Sequence, residues 1–227
     1  MQLLLMGVSG CTKVSMSNNI SKKLSLEEQM IEYINGRYED TFAYYQHANG
    51  NYGNSQRAIL VTSEKYPDAY VTVVYGTVNG VEFINDNYLY FKYREQATIA
   101  LQEVLENAFD HDFKLFYGNT PPVGTTILAA DTTLDEYMSS TASWLSFTVV
   151  LAPGYSIDRN AFYENLNQSF ASRNIIISSA TVRFCDDTDI YKSLNMANLS
   201  RFEGTDEGTR LYLDQIGTEK ATFVWGN

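Results

Sequence analysis

Between Arg94 and Phe109, the residues Ala97, Ala100, Leu101, Val104, Leu105 and Ala108 recur at i, i+3, i+4, i+7, i+8 and i+11. That spacing places all six on one stripe of an α-helix. A strand could not bury them together, because its side chains alternate with a period of two. The segments upstream have the opposite character. Tyr70 to Val78 alternates, Asn79-Gly80 supplies a type I′ hairpin turn, and the chain returns from Val81. An amphipathic helix among hairpin strands must bury its stripe on a sheet. The pattern therefore predicts an α+β fold, with largely antiparallel sheets and helices packed on them.

The remaining elements group into two small modules. Ser25-Leu26-Glu27-Glu28 is a capping box, and the helix it opens carries Leu26, Met30, Tyr33, Ile34, Tyr38 and Phe42, which predicts an end near Tyr45. Ala58 to Ser63 reads as a strand. The strand from Val81 breaks at Asn85-Asp86-Asn87 and is predicted to resume from Tyr88 to Tyr93. With a strand at Phe113 to Tyr117, residues 25–118 form a first module of order α-β-β-β-α-β. Two prolines at Pro121-Pro122 mark the boundary, since proline cannot continue a strand interior. A second α+β module spans 126–227. It holds a short helix capped by Thr133 and Glu136, then Trp144 to Leu151, apolar at nearly every position and so predicted central and covered on both faces. A helix from about Asp158 to Ser172, with Phe162, Leu166 and Phe170 on one stripe, precedes a strand from Ile175 to Cys185. Asp186-Asp187-Thr188-Asp189 caps a helix predicted to reach Leu199, and a hairpin of Arg210 to Ile216 with Ala221 to Trp225 closes the chain.

Composition narrows the function classes. Of 227 residues, 44% are hydrophobic, enough for a packed core. With 27 acidic against 16 basic side chains the net charge is −11, which argues against nucleic acid as a partner. Two cysteines, Cys11 and Cys185, cannot make a disulfide framework. The glycine-spaced nucleophile elbow and phosphate-binding loops do not occur in the sequence, and two distant histidines do not suit zinc. No catalytic, cofactor-binding or metal residue is predicted. Asp110-His111-Asp112 reads as an exposed helix-to-strand turn, the Asp186, Asp187 and Asp189 cluster as a helix cap, and Cys185 as a small core residue. The compositional oddity is 17 tyrosines. Six of them, Tyr52, Tyr66, Tyr75, Tyr88, Tyr90 and Tyr93, fall in or beside the first module's strands. Tyr75, Tyr88, Tyr90 and Tyr93 are the candidate contacts for a protein, peptide or glycan ligand; the ordinary alternative is rings in the core with hydroxyls in water.

The amino terminus suggests where such a domain acts. Val8-Ser9-Gly10-Cys11 follows a short apolar run and resembles the lipobox of bacterial lipoproteins. The resemblance implies cleavage before Cys11, a diacylglyceryl group on its thiol and an anchor in the membrane. Residues 1–10 are then a signal segment and 11–24 a polar, flexible tether. No Lys or Arg precedes the run, which is shorter than the usual ~7–15 residues, as truncation at its start would leave it. The stretch Asn85-Asp86-Asn87-Tyr88 with Phe91-Lys92-Tyr93 also resembles small uncharacterised lipoproteins of low-GC Gram-positive bacteria, and adds no functional residue beyond Cys11. The expectation is a lipid-anchored extracytoplasmic protein on the outer face of the bacterial cytoplasmic membrane, foremost a non-catalytic binding domain. The alternatives are a cell-envelope enzyme with a dispersed active site and a purely structural envelope protein.

Overall fold

The computed structural model describes residues 24–49, 56–118, 120–155, 159–202, 210–216 and 222–226; Cys11 and the tether up to residue 23 lie outside them. The fold is α+β, as the pattern predicts. Helix α1 (Leu26–Arg37) begins at the expected capping box, with Glu28 N–H donating to Ser25 Oγ and Ser25 N–H to the Glu28 carboxylate. It ends a full two turns before the predicted Tyr45. Asn35 causes the stop: its side-chain amide accepts from Phe42 N–H at 2.9 Å and donates to Phe42 C=O at 3.2 Å, folding the chain back on itself. Phe42 then starts strand β1 (Phe42–His47), whose aromatic content suits a strand.

Strands β1, β2 (Arg57–Ser63), β3 (Tyr70–Val78) and β4 (Val81–Asp86) form an antiparallel meander in chain order. The β3–β4 turn is the predicted one, with φ of 52° at Asn79 and 78° at Gly80. The first module thus has four strands before its second helix, not three.

Helix α2 (Tyr88–Ala108) runs 21 residues and corrects the second sequence expectation, since Tyr88 to Tyr93 is its first turn and a half and not a strand. Strand propensity loses here because Asp86 Oδ1 accepts the Tyr88 N–H at 2.9 Å, satisfying an amide the helix leaves open. Burial then fixes it. Tyr88, Leu89, Tyr90, Phe91 and Tyr93 are all buried, and half-buried Lys92 is the one charged residue among the six, too little to reveal a helical period.

Strand β5 (Phe113–Phe116) pairs antiparallel with β6 (Ser146–Leu151), so the last strand of the predicted first module belongs to the second sheet. Between them lie α3 (Leu134–Met138), with its predicted capping box, and a 3-10 turn at Thr141–Ser143. The sheet continues β6-β7-β8-β9 through β7 (Ile177–Phe184), β8 (Arg210–Ile216) and β9 (Thr222–Gly226). Strands β6 and β7 are parallel, joined by α4 (Arg159–Ser172), whose Phe162, Leu166 and Phe170 are buried as predicted. Helix α5 (Thr188–Ser193) stops well short of Leu199, although Asp187 caps it by accepting from Asp189 and Ile190 N–H. Strand β6 is internal and buried on both faces. Phe147, Val149 and Leu151 join the main core, while Val150 packs with Phe116, Cys185, Leu194 and Phe202. The main core runs from α1 and the first sheet through α2 to β6 and α4 without interruption.

Candidate functional site

The ends of α1, β4 and the start of α2 meet under an irregular strap, residues 120–131, and two cavities open there on either side of Tyr38. The inner one is small and charged. Arg37 and Asp86 form an ion pair, Nε to Oδ2 at 3.6 Å, with side chains 14% and 1% exposed. Arg37 also donates to Tyr38 Oη at 2.9 Å, to Tyr33 Oη at 2.5 Å, and to the Leu128 carbonyl of the strap. Tyr38 donates its own hydroxyl hydrogen bond to Asp86 Oδ1 at 2.9 Å. Asp86 Oδ2 accepts no hydrogen bond. Burial holds the Asp86 carboxyl above its usual pKa, against the pull of the Tyr88 amide, Arg37 and Tyr38. Burial likewise raises Tyr38, helped by the neighbouring Asp86 charge.

The two asparagines beside Asp86 hold the strap down. Asn85 Nδ2 donates to the carbonyls of Gly124 at 2.9 Å and Thr126 at 3.1 Å, and Asn87 Nδ2 to that of Pro121 at 3.3 Å. Asn87 Oδ1 accepts from Thr72 N–H, tying the same residue to β3. The space between strap and network has a volume of about 30 Å³, the room of about two water molecules.

The outer cavity is a larger cleft of about 330 Å³. Tyr38, Tyr66 and Tyr88 wall it, with Lys65 and Lys92 on one set of elements and Glu39 and Asp131 on others. Tyr88 is the central ring, 4.3 Å from the Tyr38 centroid and 5.7 Å edge-on from Tyr66. Tyr88 and Lys92 lie one turn apart on α2, which aligns them along one face. Asp40, behind the cleft, accepts from the Ser63 hydroxyl and from the Thr41 and Lys65 amides. Burial works to raise its carboxyl, but these bonds and one from Tyr88 outweigh it and leave it below the ordinary carboxylate value. Lys92 Nζ sits 4.8 Å above the Tyr93 ring. Among the described residues, no carboxylate lies within 4.0 Å of Lys65 or Lys92.

The four tyrosines singled out from sequence do not share an exposed face. Tyr88, Tyr90 and Tyr93 are 3%, 2% and 8% exposed. Being helical, they diverge: Tyr90 lies about 200° round the axis from Tyr88. Tyr90 packs edge-on to Tyr117, Tyr93 packs on Tyr137 and donates to the Thr132 carbonyl, and Tyr75 packs its ring against the core from β3. Only Tyr88 lines the larger cleft; Tyr90 lines the inner cavity. An exposed aromatic pair does exist elsewhere, Tyr45 and Tyr70, 49% and 47% exposed with ring centroids 4.5 Å apart. The sequence reading missed Arg37, Asp86, Lys65 and Lys92. The available signal was a carboxylate between two asparagines directly before an aromatic-rich segment.

Other sequence candidates lie apart. His111 sits half-buried with Nε2 3.3 Å from the Pro153 carbonyl and its ring against Tyr155. Cys185 is a buried free thiol whose Sγ donates to the Asp187 carbonyl.

No protein-family model matches the chain, and no curated protein matches it. Among solved structures it is similar to a DUF5037 family protein from Ruminococcus gnavus ATCC 29149, with 14% identity and a TM-score of 0.40, over 85% of this chain and 92% of that one.

Proposed function

We propose that this chain is a non-catalytic binding domain, held on the outer face of a bacterial cytoplasmic membrane by a lipid on Cys11, with the Tyr66 cleft as its ligand site. The cleft carries the binding part of this reading. Its volume of about 330 Å³ falls at the lower end of the ~300–1,000 Å³ typical of small-molecule sites, and its walls combine aromatic rings with a few charged groups. The tyrosine hydroxyls at its floor are already engaged, Tyr38 with Asp86 and Tyr88 with Asp40, which suits holding a ligand better than moving protons. The enzyme alternative has one observation in its favour, the buried Asp86 with a raised pKa. The cavity beside it, about 30 Å³, admits water and no organic substrate.

The anchor rests on the lipobox resemblance and is tested separately from the cleft. The full gene is expressed in a Gram-positive host and labelled with an alkyne fatty acid. Label on the wild type that disappears in Cys11→Ser supports the anchor; label that never appears, or that persists in the variant, ends it. For the cleft, backbone amide NMR with small polar solutes is expected to move the resonances of Tyr66 and Lys92 before those of Tyr45 and Tyr70. The reverse order would transfer the binding reading to the exposed tyrosine pair.

A further inference from the structure

We infer that the Asn79-Gly80 turn is a site of spontaneous covalent modification, where Asn79 loses its side-chain amide to water and becomes aspartate or isoaspartate. The chemistry needs a backbone nitrogen that can reach the preceding asparagine side chain, and glycine, lacking a Cβ, hinders that approach least. The sequence holds three Asn-Gly pairs, at 35–36, 49–50 and 79–80, of which Gly50 lies outside the described residues. The pairs at 35–36 and 79–80 are both exposed, so access of water does not separate them.

Bonding separates them. The Asn35 side chain donates to the Ile31 and Phe42 carbonyls at 3.0 and 3.2 Å and accepts from Phe42 N–H at 2.9 Å. Gly36 N–H lies inside the hydrogen-bond ladder of α1. Attack at Asn35 therefore requires the joint between α1 and β1 to come apart. At the hairpin tip, neither the Asn79 side chain nor Gly80 N–H makes a hydrogen bond among the described residues. Freeing Asn79 disturbs only the closing pair, Val78 with Val81, and such local openings cost far less than global ones. In the first step a base in the solvent takes the Gly80 N–H proton and the nitrogen attacks Asn79 Cγ. The Cγ–Nδ2 bond breaks, and ammonia leaves with a proton from water. Water then opens the succinimide at one carbonyl or the other, giving aspartate or isoaspartate, and nothing is oxidised or reduced. Isoaspartate adds one backbone methylene to a two-residue turn whose geometry sets the register. Either product puts a carboxylate between Val78 and Val81, which are 40% and 68% exposed. Asp86 pairs with Val73 at the opposite end of the same ladder.

The test ages the folded full chain in warm, mildly alkaline buffer and maps its peptides by mass spectrometry, with isoaspartate methyltransferase to count the isomer. Asn79 is expected to convert at least ~10-fold faster than Asn35, and faster as pH rises, since the first step consumes a proton acceptor. The same incubation in concentrated urea should bring the two rates together. Asn79→Gln should abolish conversion at this turn while leaving Asn35 as slow as before. Conversion of Asn35 as fast as Asn79 in the folded chain overturns the inference. So does an Asn79 that stays intact when folded and converts in urea, because the turn itself then blocks the attack. A difference of the same size in urea assigns the contrast to neighbouring sequence and not to the fold, which also overturns it.

Discussion

The two sides of Tyr38 use the same residue types to opposite ends. On the inner side, Arg37, Asp86 and Tyr38 are knitted together beneath the strap, and the two charges pair with one another. On the outer side, Lys65, Lys92, Glu39 and Asp131 share a larger cavity, and the two lysines have no carboxylate in reach. A buried ion pair with a satisfied guanidinium is a structural joint, because removing either member strands a charge in low dielectric. Unpaired charges at a solvent-filled cleft cost the fold little and remain available to something else. The inner side is a structural joint; on the proposed reading the outer side is where a ligand would make contact.

Breaking the inner side should have the largest effect. Asp86→Ala leaves Arg37 without its counter-charge, Tyr38 without its acceptor and the Tyr88 amide without its cap. A loss of about 3 kcal/mol is expected in urea denaturation, from the range measured for one-sided removal of buried pairs. The double variant Arg37→Met with Asp86→Leu should recover much of that loss, since neither charge then remains buried. A cost below about 1 kcal/mol for Asp86→Ala would mean that the inner cavity is as wet as the outer one, and the contrast would fail.

The two carboxylates should also titrate in opposite senses. Asp40 has a folded pKa below its unfolded one, so its stabilisation is present above the unfolded value, about 4, and is lost as pH falls through the folded value. Asp86 has a folded pKa above its unfolded one. Its contribution is full below about 4 and is lost as pH rises through the folded value. Thus the stability gap between wild type and Asp40→Asn should narrow on acidification, whereas the gap between wild type and Asp86→Asn should move in favour of wild type. Denaturation midpoints from pH 3 to 7 would show it, and parallel curves for the two variants would refute the distinction.

Much of the scaffold behind this contrast was legible in the sequence, and the site was not. The apolar stripe from Ala97 to Ala108, the Asn79-Gly80 turn and the capping boxes at Ser25 and Thr133 all behave as local chemistry dictates. Two of the misread segments border the site. At Tyr38 to Tyr45 a helical spacing of aromatics continues past the point where Asn35 turns the chain, a contact across seven residues that no periodicity reports. At Tyr88 to Tyr93 a helix buried at five of six positions shows only Lys92 as a charged residue, and its tyrosines carry strand propensity. Asp86 was visible only as a strand break, because its meaning depends on Tyr38, 48 residues earlier, and on a strap that Arg37 reaches across 91.

The strap offers a smaller perturbation. Asn85→Ala releases the Gly124 and Thr126 carbonyls, worth about 1–2 kcal/mol for a buried partner left unmade. Trp144 reports it directly: its Nε1 would lie 3.2 Å from a Cβ placed on Gly124, so it sits against the strap while 46% exposed. With Trp225→Phe in the background, Trp144 is the remaining tryptophan of the two, and its emission should shift when the strap loosens. An unchanged emission with a lost ~1–2 kcal/mol would show that Asn85 stabilises β4 and not the strap.

The smallest effect on stability belongs to the outer side. Lys65 donates to the fold only through its backbone amide, and Lys92 through its stacking on Tyr93. Replacing either by alanine should cost no more than about 0.5 kcal/mol, the scale of an exposed substitution or a solvated cation–π contact. A cost near 2 kcal/mol for Lys92→Ala would place that ammonium in the structural network, alongside Arg37. Near-zero cost at both positions, set against the large loss at Asp86, is what separates a joint from a contact surface when only Tyr38 stands between them.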